Sequence, residues 1–97
     1  MRHLLVSYDV NVTTTAGKRR WRHICKTCKN YGQRVQFSVF EVQVNEAQRE
    51  ALIHKLKTLI NEEEDSIRIY NLPTDRDANV ISFGLDSYCD YQDPLVI

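Results

Sequence analysis

In Arg34-Val35-Gln36-Phe37-Ser38-Val39-Phe40-Glu41-Val42-Gln43-Val44, apolar side chains occupy odd positions at Val35, Phe37 and Val39. They then move to even positions at Phe40, Val42 and Val44. Side chains of a strand alternate between two faces, so a strand changes phase only through a bulge or a turn. Ser38 to Phe40 is therefore a kink in one bulged strand or a tight connection between two. The Gly or Asn that favours a short hairpin turn is missing, and the pattern leaves both readings open.

Downstream, Asn45 offers a helix cap, with Gln48 three residues on as in a capping box. Leu52, Leu56, Leu59 and Ile60 form the apolar stripe of that helix. After the acidic run Glu62-Glu63-Glu64-Asp65, residues Ser66 to Leu72 alternate as a strand until Pro73, and Asn79 to Phe83 is expected to add a further short strand. Upstream, a helix is expected from about Gly17 to Tyr31, with Trp21, Ile24, Cys25 and Cys28 on one stripe and Gly32 just past its end. A Thr-rich loop over Asn11 to Ala16 precedes it and can supply its cap. The opening His3-Leu4-Leu5-Val6-Ser7-Tyr8-Asp9-Val10 reads as a strand covered on both faces, in the middle of a sheet.

This order predicts an α+β fold, a ferredoxin-like βαββαβ sandwich with an extra C-terminal strand and both helices on one face. At 97 residues the chain fits a single domain, with residues 1–84 as its core and 85–97 as an acidic C-terminal tail. The other sheet face would be left bare, and a homodimer that buries it against a second copy is the simplest solution. No apolar run approaches the length of a membrane span or a secretory signal, so no membrane partner is expected. Cys25, Cys28 and Cys89 are an odd set, which points away from a disulfide framework and to the cytoplasm.

The net charge of zero hides a strong asymmetry. From Val10 to Phe40 there are seven basic residues and no acid, whereas Glu41 to Ile97 carries five basic residues and twelve acids. At helical spacing Lys18, Arg19, Arg22, Lys26 and Lys29 share one sector, with Arg20 beside them. A solvated helix face usually mixes signs, so an all-basic sector favours a polyanion such as RNA or DNA.

Asp9 is the sole acid in the first forty residues and falls where the first strand should end. One carboxylate is too little for a divalent cation, but a two-fold axis nearby would supply its mate. An exposed or capping aspartate is the plainer alternative. Cys25 and Cys28 spell C-x-x-C inside the helix stripe with no second ligand pair, which favours core packing over a redox or zinc site. Tyr8, Tyr31, Phe37, Phe40 and Tyr70 could stack on bases but fit a core or dimer interface better. No phosphate-binding Gly loop, nucleophile elbow or H-E-x-x-H is present.

Leu5-Val6-Ser7-Tyr8-Asp9-Val10, Gly32 to Glu41, Asp65 to Tyr70 and the Asp93-Pro94-Leu95 ending together resemble the CRISPR-associated protein 2 family. The resemblance implies a ferredoxin-like homodimer with metal-dependent phosphodiesterase activity on RNA or DNA. It also implies work in spacer acquisition beside the larger CRISPR integrase subunit. Carried across, Asp9 binds Mg²⁺ or Mn²⁺ together with its mate, and Arg20, Arg22, Arg34 and Phe40 match positions around that site. Arg34 and Ser38 would assist the phosphate, Tyr8 and Phe40 would support the site, and Lys18, Arg19, Arg20, Arg22, Lys26 and Lys29 would bind nucleic acid.

Two other readings compete. The dimer could be a non-catalytic DNA-binding adaptor for the integrase subunit, or a ferredoxin-like module that binds a small anion. The acidic-aromatic tail from Asp86 to Ile97 could dock on a basic partner or pack within the homodimer.

Overall fold

A computed structural model describes residues 1–88. The element order is β1 (Arg2–Asp9), α1 (Thr15–Lys29), β2 (Gly32–Gln36), β3 (Val39–Val44), α2 (Glu46–Leu59), β4 (Ser66–Leu72) and a single 3₁₀ turn over Asp77–Asn79. The strands form one antiparallel sheet in the order β2-β3-β1-β4. The expected βαββαβ core is present, and β1 lies inside the sheet, with Val6 opposite Phe40 on one side and Ile69 on the other.

The phase change is met by a turn and a bulge together. Phe37 and Ser38 form the turn, Gln36 pairs with Val39, and the register slips by one residue between Arg34 and Gln36. The extra residue moves the apolar set of β3 to even positions, so Phe40, Val42 and Val44 face the helices and are fully buried. Among the described residues, no non-glycine residue takes a left-handed conformation. This is why the turn does without the Gly or Asn of the common hairpin types.

Leu4, Val6 and Tyr8 from β1 join that set under Ile24, Cys25 and Cys28 of α1 and Leu52 and Leu56 of α2. Both cysteines of the C-x-x-C pair are thus packed in the core as free thiols. α2 starts at the cap its sequence predicts, whereas α1 starts two residues before the expected Gly17, capped by a threonine of the preceding loop. Thr14 Oγ1 accepts from the Gly17 amide at 3.0 Å, and Asn45 and Gln48 complete a reciprocal capping box. The end of α1 differs from expectation, because Asn30 caps it in a right-handed conformation and Gly32 already belongs to β2. Gly32 is needed for close approach: a Cβ there would lie 2.0 Å from the Glu41 carbonyl oxygen of the neighbouring strand.

The second sheet face is not bare. The chain after β4 turns back across it, and Arg76 donates from Nε to Glu41 Oε1 at 2.7 Å and from Nη2 to Glu41 Oε2 at 2.8 Å. His3 Nε2 lies 3.1 Å from the same Oε1, and Arg76 stacks on the Tyr88 ring with its guanidinium carbon 3.4 Å from the centroid. Glu41 is a buried charge, and the double hydrogen bond to Arg76 is what offsets its loss of water.

The short strand expected at 79–83 is absent among the described residues. Asp75 instead winds the chain into the 3₁₀ turn by accepting from the Ala78 amide and the Asn79 side chain. With no neighbouring strand to pair its backbone, the following segment stays irregular, and Ile81 and Phe83 remain exposed. The stretch that includes Cys89, Asp90, Tyr91, Asp93, Leu95 and Ile97, read above as part of a docking tail, lies outside the described residues.

Candidate active site and nucleic-acid interface

Strand alternation sends Tyr8 into the core and turns Asp9, the last residue of β1, outward. The Asp9 carboxylate is exposed and makes no hydrogen bond or ion pair to another described residue. It opens on a cleft of about 450 Å³ that is also lined by Val10, Val12, Lys18, Trp21, Phe37 and Ser38.

Two fastenings shape this cleft. The first holds the β1–α1 loop. Asp65 has a fully buried side chain and accepts from the Asn11 amide at 3.1 Å, the Asn61 amide at 3.0 Å and Arg20 Nε at 2.8 Å. Burial pushes the Asp65 carboxyl up, but Arg20 and the two backbone amides outweigh it and hold the group below its ordinary value. Gly17 lets the loop lie on the first turn of α1, since a Cβ there would meet the Asn11 carbonyl oxygen at 1.8 Å.

The second fastening holds the β2–β3 turn. The Tyr8 hydroxyl donates to the Phe37 carbonyl at 3.0 Å, and the Tyr8 amide donates to the Ser38 carbonyl at 3.1 Å. Burial first, and the Cys25 thiol at 3.2 Å second, push the Tyr8 phenol well above its ordinary value, so it stays a neutral donor. Arg34 packs against Trp21, Phe37 and Phe40 with its guanidinium carbon 5.5–5.9 Å from each ring, and its Nη2 donates to Cys25 Sγ at 3.1 Å. Arg34 therefore backs the Phe37–Ser38 turn from within. Phe40 is fully buried beneath it.

The basic residues divide. Lys18, Arg19, Arg22, Lys26 and Lys29 are exposed on α1, and none forms an ion pair with another described residue. Arg20 is different, being committed to Asp65 and, through Nη2 at 3.3 Å, to Glu64. Helical spacing could not show this, because both acids come from the loop before β4.

A hard divalent cation prefers carboxylate oxygens. Asp9 provides one, and no cluster of three His, Cys, Asp or Glu side chains occurs among the described residues. A single carboxylate is at most half of the donor set that a two-carboxylate site for Mg²⁺ or Mn²⁺ needs. The residues that sequence reasoning missed are Asp65, Glu41 and Arg76. Their only sequence signal is position: Asp65 ends an acidic run at the start of a strand, and Glu41 interrupts an apolar one.

A family model described as CRISPR-associated protein Cas2 matches residues 1–80. The CRISPR-associated endoribonuclease Cas2 1 of Moorella thermoacetica is 45% identical over 95 residues, covering 98% of this chain and 99% of that protein. Among solved structures, Streptococcus pyogenes Cas2 at pH 6.5 superposes with a TM-score of 0.77 and 46% identity, covering 84% of this chain and 99% of that one. A chain of a partial Cas6-RT-Cas1–Cas2 complex superposes with a TM-score of 0.60 and 32% identity, covering 84% of this chain and 90% of its own.

Proposed function

The chain belongs to the CRISPR-associated protein Cas2 family, and on that footing we propose that it is a metal-dependent endonuclease of RNA or DNA that serves in spacer acquisition. The observation that carries this reading is the Asp9 carboxylate, unpaired and exposed at the mouth of a cleft that also presents Lys18 and Ser38. In a homodimer with its axis beside Asp9, the two Asp9 carboxylates would be the residues that hold a Mg²⁺ or Mn²⁺ ion. When bound, the ion supplies an activated water and neutralises charge on the phosphate.

The remaining work falls to the chain's own residues. Lys18, Arg19, Arg22, Lys26 and Lys29 draw in and hold the phosphate backbone. Ser38 donates to a phosphate oxygen from the β2–β3 turn. Tyr8, Arg34 and Phe40 fix that turn, so Arg34 is a positioning residue acting through Phe37 and Ser38. Arg20 sets the loop that follows Asp9 and contributes to binding through that loop.

The test is cleavage of RNA and DNA by the purified protein across a Mg²⁺ and Mn²⁺ titration, with Asp9→Asn alongside. Cleavage that follows the metal and falls to background in Asp9→Asn, with melting and oligomeric state unchanged, is the expected result. Equal cleavage by Asp9→Asn overturns the assignment.

A second reading is favoured by the single carboxylate per chain beside five unpaired basic residues, and by likeness to a chain of a Cas1–Cas2 assembly. There the dimer is a structural adaptor that presents DNA to the larger CRISPR integrase subunit. Spacer integration that survives Asp9→Asn but fails when Arg19 and Arg22 are neutralised would favour the adaptor.

A further inference from the structure

We infer that Asp65 is a positioning residue for Asp9. Through the Asn11 amide and Arg20 it fixes the backbone at the end of β1, so that the Asp9 carboxylate is presented in a narrow range of directions. The inference rests on the metal role proposed for Asp9 and gives that site its supporting residue.

The Asp9 side chain has no partner among the described residues, so its direction is set by its backbone. That backbone lies where order is hardest to keep. Asp9 pairs with Ser66 in the last rung between β1 and β4, and strand ends fray. Asp65 directly precedes Ser66, and its Oδ1 accepts from the Asn11 amide at 3.1 Å. A side chain thereby adds one more link beyond the last rung, and Asp9 is held from both sides.

The hold extends outward from Asn11. Its Oδ1 accepts from the Thr13 amide at 3.0 Å and from the Thr13 hydroxyl at 2.6 Å, which closes the loop on itself. Arg20 Nε and the Asn61 amide donate to Asp65 Oδ2 at 2.8 and 3.0 Å. The loop is thus tied to α1 and to the segment that follows α2.

A fully buried carboxylate is a costly way to join segments, because apolar residues of similar volume often serve stability as well or better. What apolar contact lacks is direction. The four hydrogen bonds that Asp65 accepts from Asn11, Asn61 and Arg20 fix a geometry, and they converge one residue from the partner of Asp9 in the sheet. Support of this kind is what a site built on a single exposed carboxylate needs.

The test compares the full-length parent with Asp65→Asn, Asn11→Ala and Val44→Ala. The last trims a fully buried side chain at the opposite end of the sheet and controls for lost stability alone. Mn²⁺ binding is read from the loss of the free-ion EPR signal, and backbone order from ¹⁵N relaxation, well below each melting temperature. Asp65→Asn is expected to weaken Mn²⁺ binding about tenfold and Asn11→Ala to weaken it less, while Val44→Ala leaves it unchanged although its Tm falls. The order parameter of the Asp9 amide, about 0.85 in the parent, falls toward roughly 0.6 in Asp65→Asn and stays in place in Val44→Ala.

Unchanged Mn²⁺ affinity in Asp65→Asn, an unchanged Asp9 order parameter, or an equal loss in Val44→Ala overturns the inference. If Asp65→Asn does not fold, the same two readings on Asn11→Ala decide, and unchanged values overturn it. Failure of the metal reading looks different: Asp9→Asn would then bind Mn²⁺ no more weakly than the parent, while the Asp9 order parameter still fell in Asp65→Asn.

Discussion

Arg20 Nε donates to Asp65 Oδ2 at 2.8 Å, while Arg20 Nη2 lies 3.3 Å from Oδ1. The two-point contact ties the second turn of α1 to the loop before β4, and through the Asn11 amide it also fixes the loop that leaves Asp9. A basic residue in the middle of a basic helix is thereby a structural one.

That relationship separates neighbours in sequence. Arg19→Gln and Arg22→Gln are each expected to flatten the log–log salt dependence of duplex binding by up to about 0.9 while leaving Tm unchanged. Arg20→Gln is expected to lower Tm, because it leaves a buried carboxylate without its cation. Salt titrations and thermal melts on the three variants check this.

Asp65 also gives a pH dependence of definite sign. Its folded carboxyl lies below the ordinary value of 3.8, so its contribution to stability is complete above that pH and is lost as pH falls toward the lowered value. Urea unfolding between pH 5 and 2 should show stability falling fastest at the acid end of that range. In Asp65→Asn the starting stability is lower and that part of the acid limb is flatter.

Arg76 and Glu41 form the latch that keeps the segment after β4 on the second sheet face. The hydrogen bonds it donates to Glu41 are the main reason the guanidinium is held even more firmly protonated than usual. Arg76→Met is expected to lower unfolding stability by about 3 kcal/mol, since removing one partner strands a buried charge. Limited proteolysis should then cut between residues 73 and 88 before the core unfolds.

Cys28 is inert in the folded protein. Burial first, and the neighbouring Cys25 second, push its thiol up to about 12. Iodoacetamide at pH 8 should therefore leave Cys28 unmodified until denaturant is added, as read by mass spectrometry. Alkylation of native Cys28 at the rate of a free thiol would contradict the core placement.

The elements with strong local patterns were legible from residues alone. The phase change around Ser38 announced the β2–β3 connection, and Asn45 with Gln48 announced the start of α2. Asp9 and the basic row of α1 were legible too, as a lone acid at a strand end and one-signed helix spacing. What failed to show were pairings across long separations in sequence. Arg20 with Asp65, and Arg76 with Glu41, join residues on different elements, so no periodicity contains them. Gly32 misled because a helix-ending glycine and one admitting a neighbouring strand look alike in sequence. The alternation at 79–83 misled because a strand needs a neighbour as well as a pattern.

The central claim is that two Asp9 carboxylates, one from each copy, make one catalytic site. It is tested most directly by the metal-dependent cleavage rate of dimers reassembled from parent and Asp9→Asn chains in varying proportion. If both carboxylates are required, the rate follows the square of the parent fraction, and an equal mixture retains about a quarter of the activity. A rate that falls in simple proportion, with about half remaining in the equal mixture, would mean that each chain works alone and would contradict the shared site.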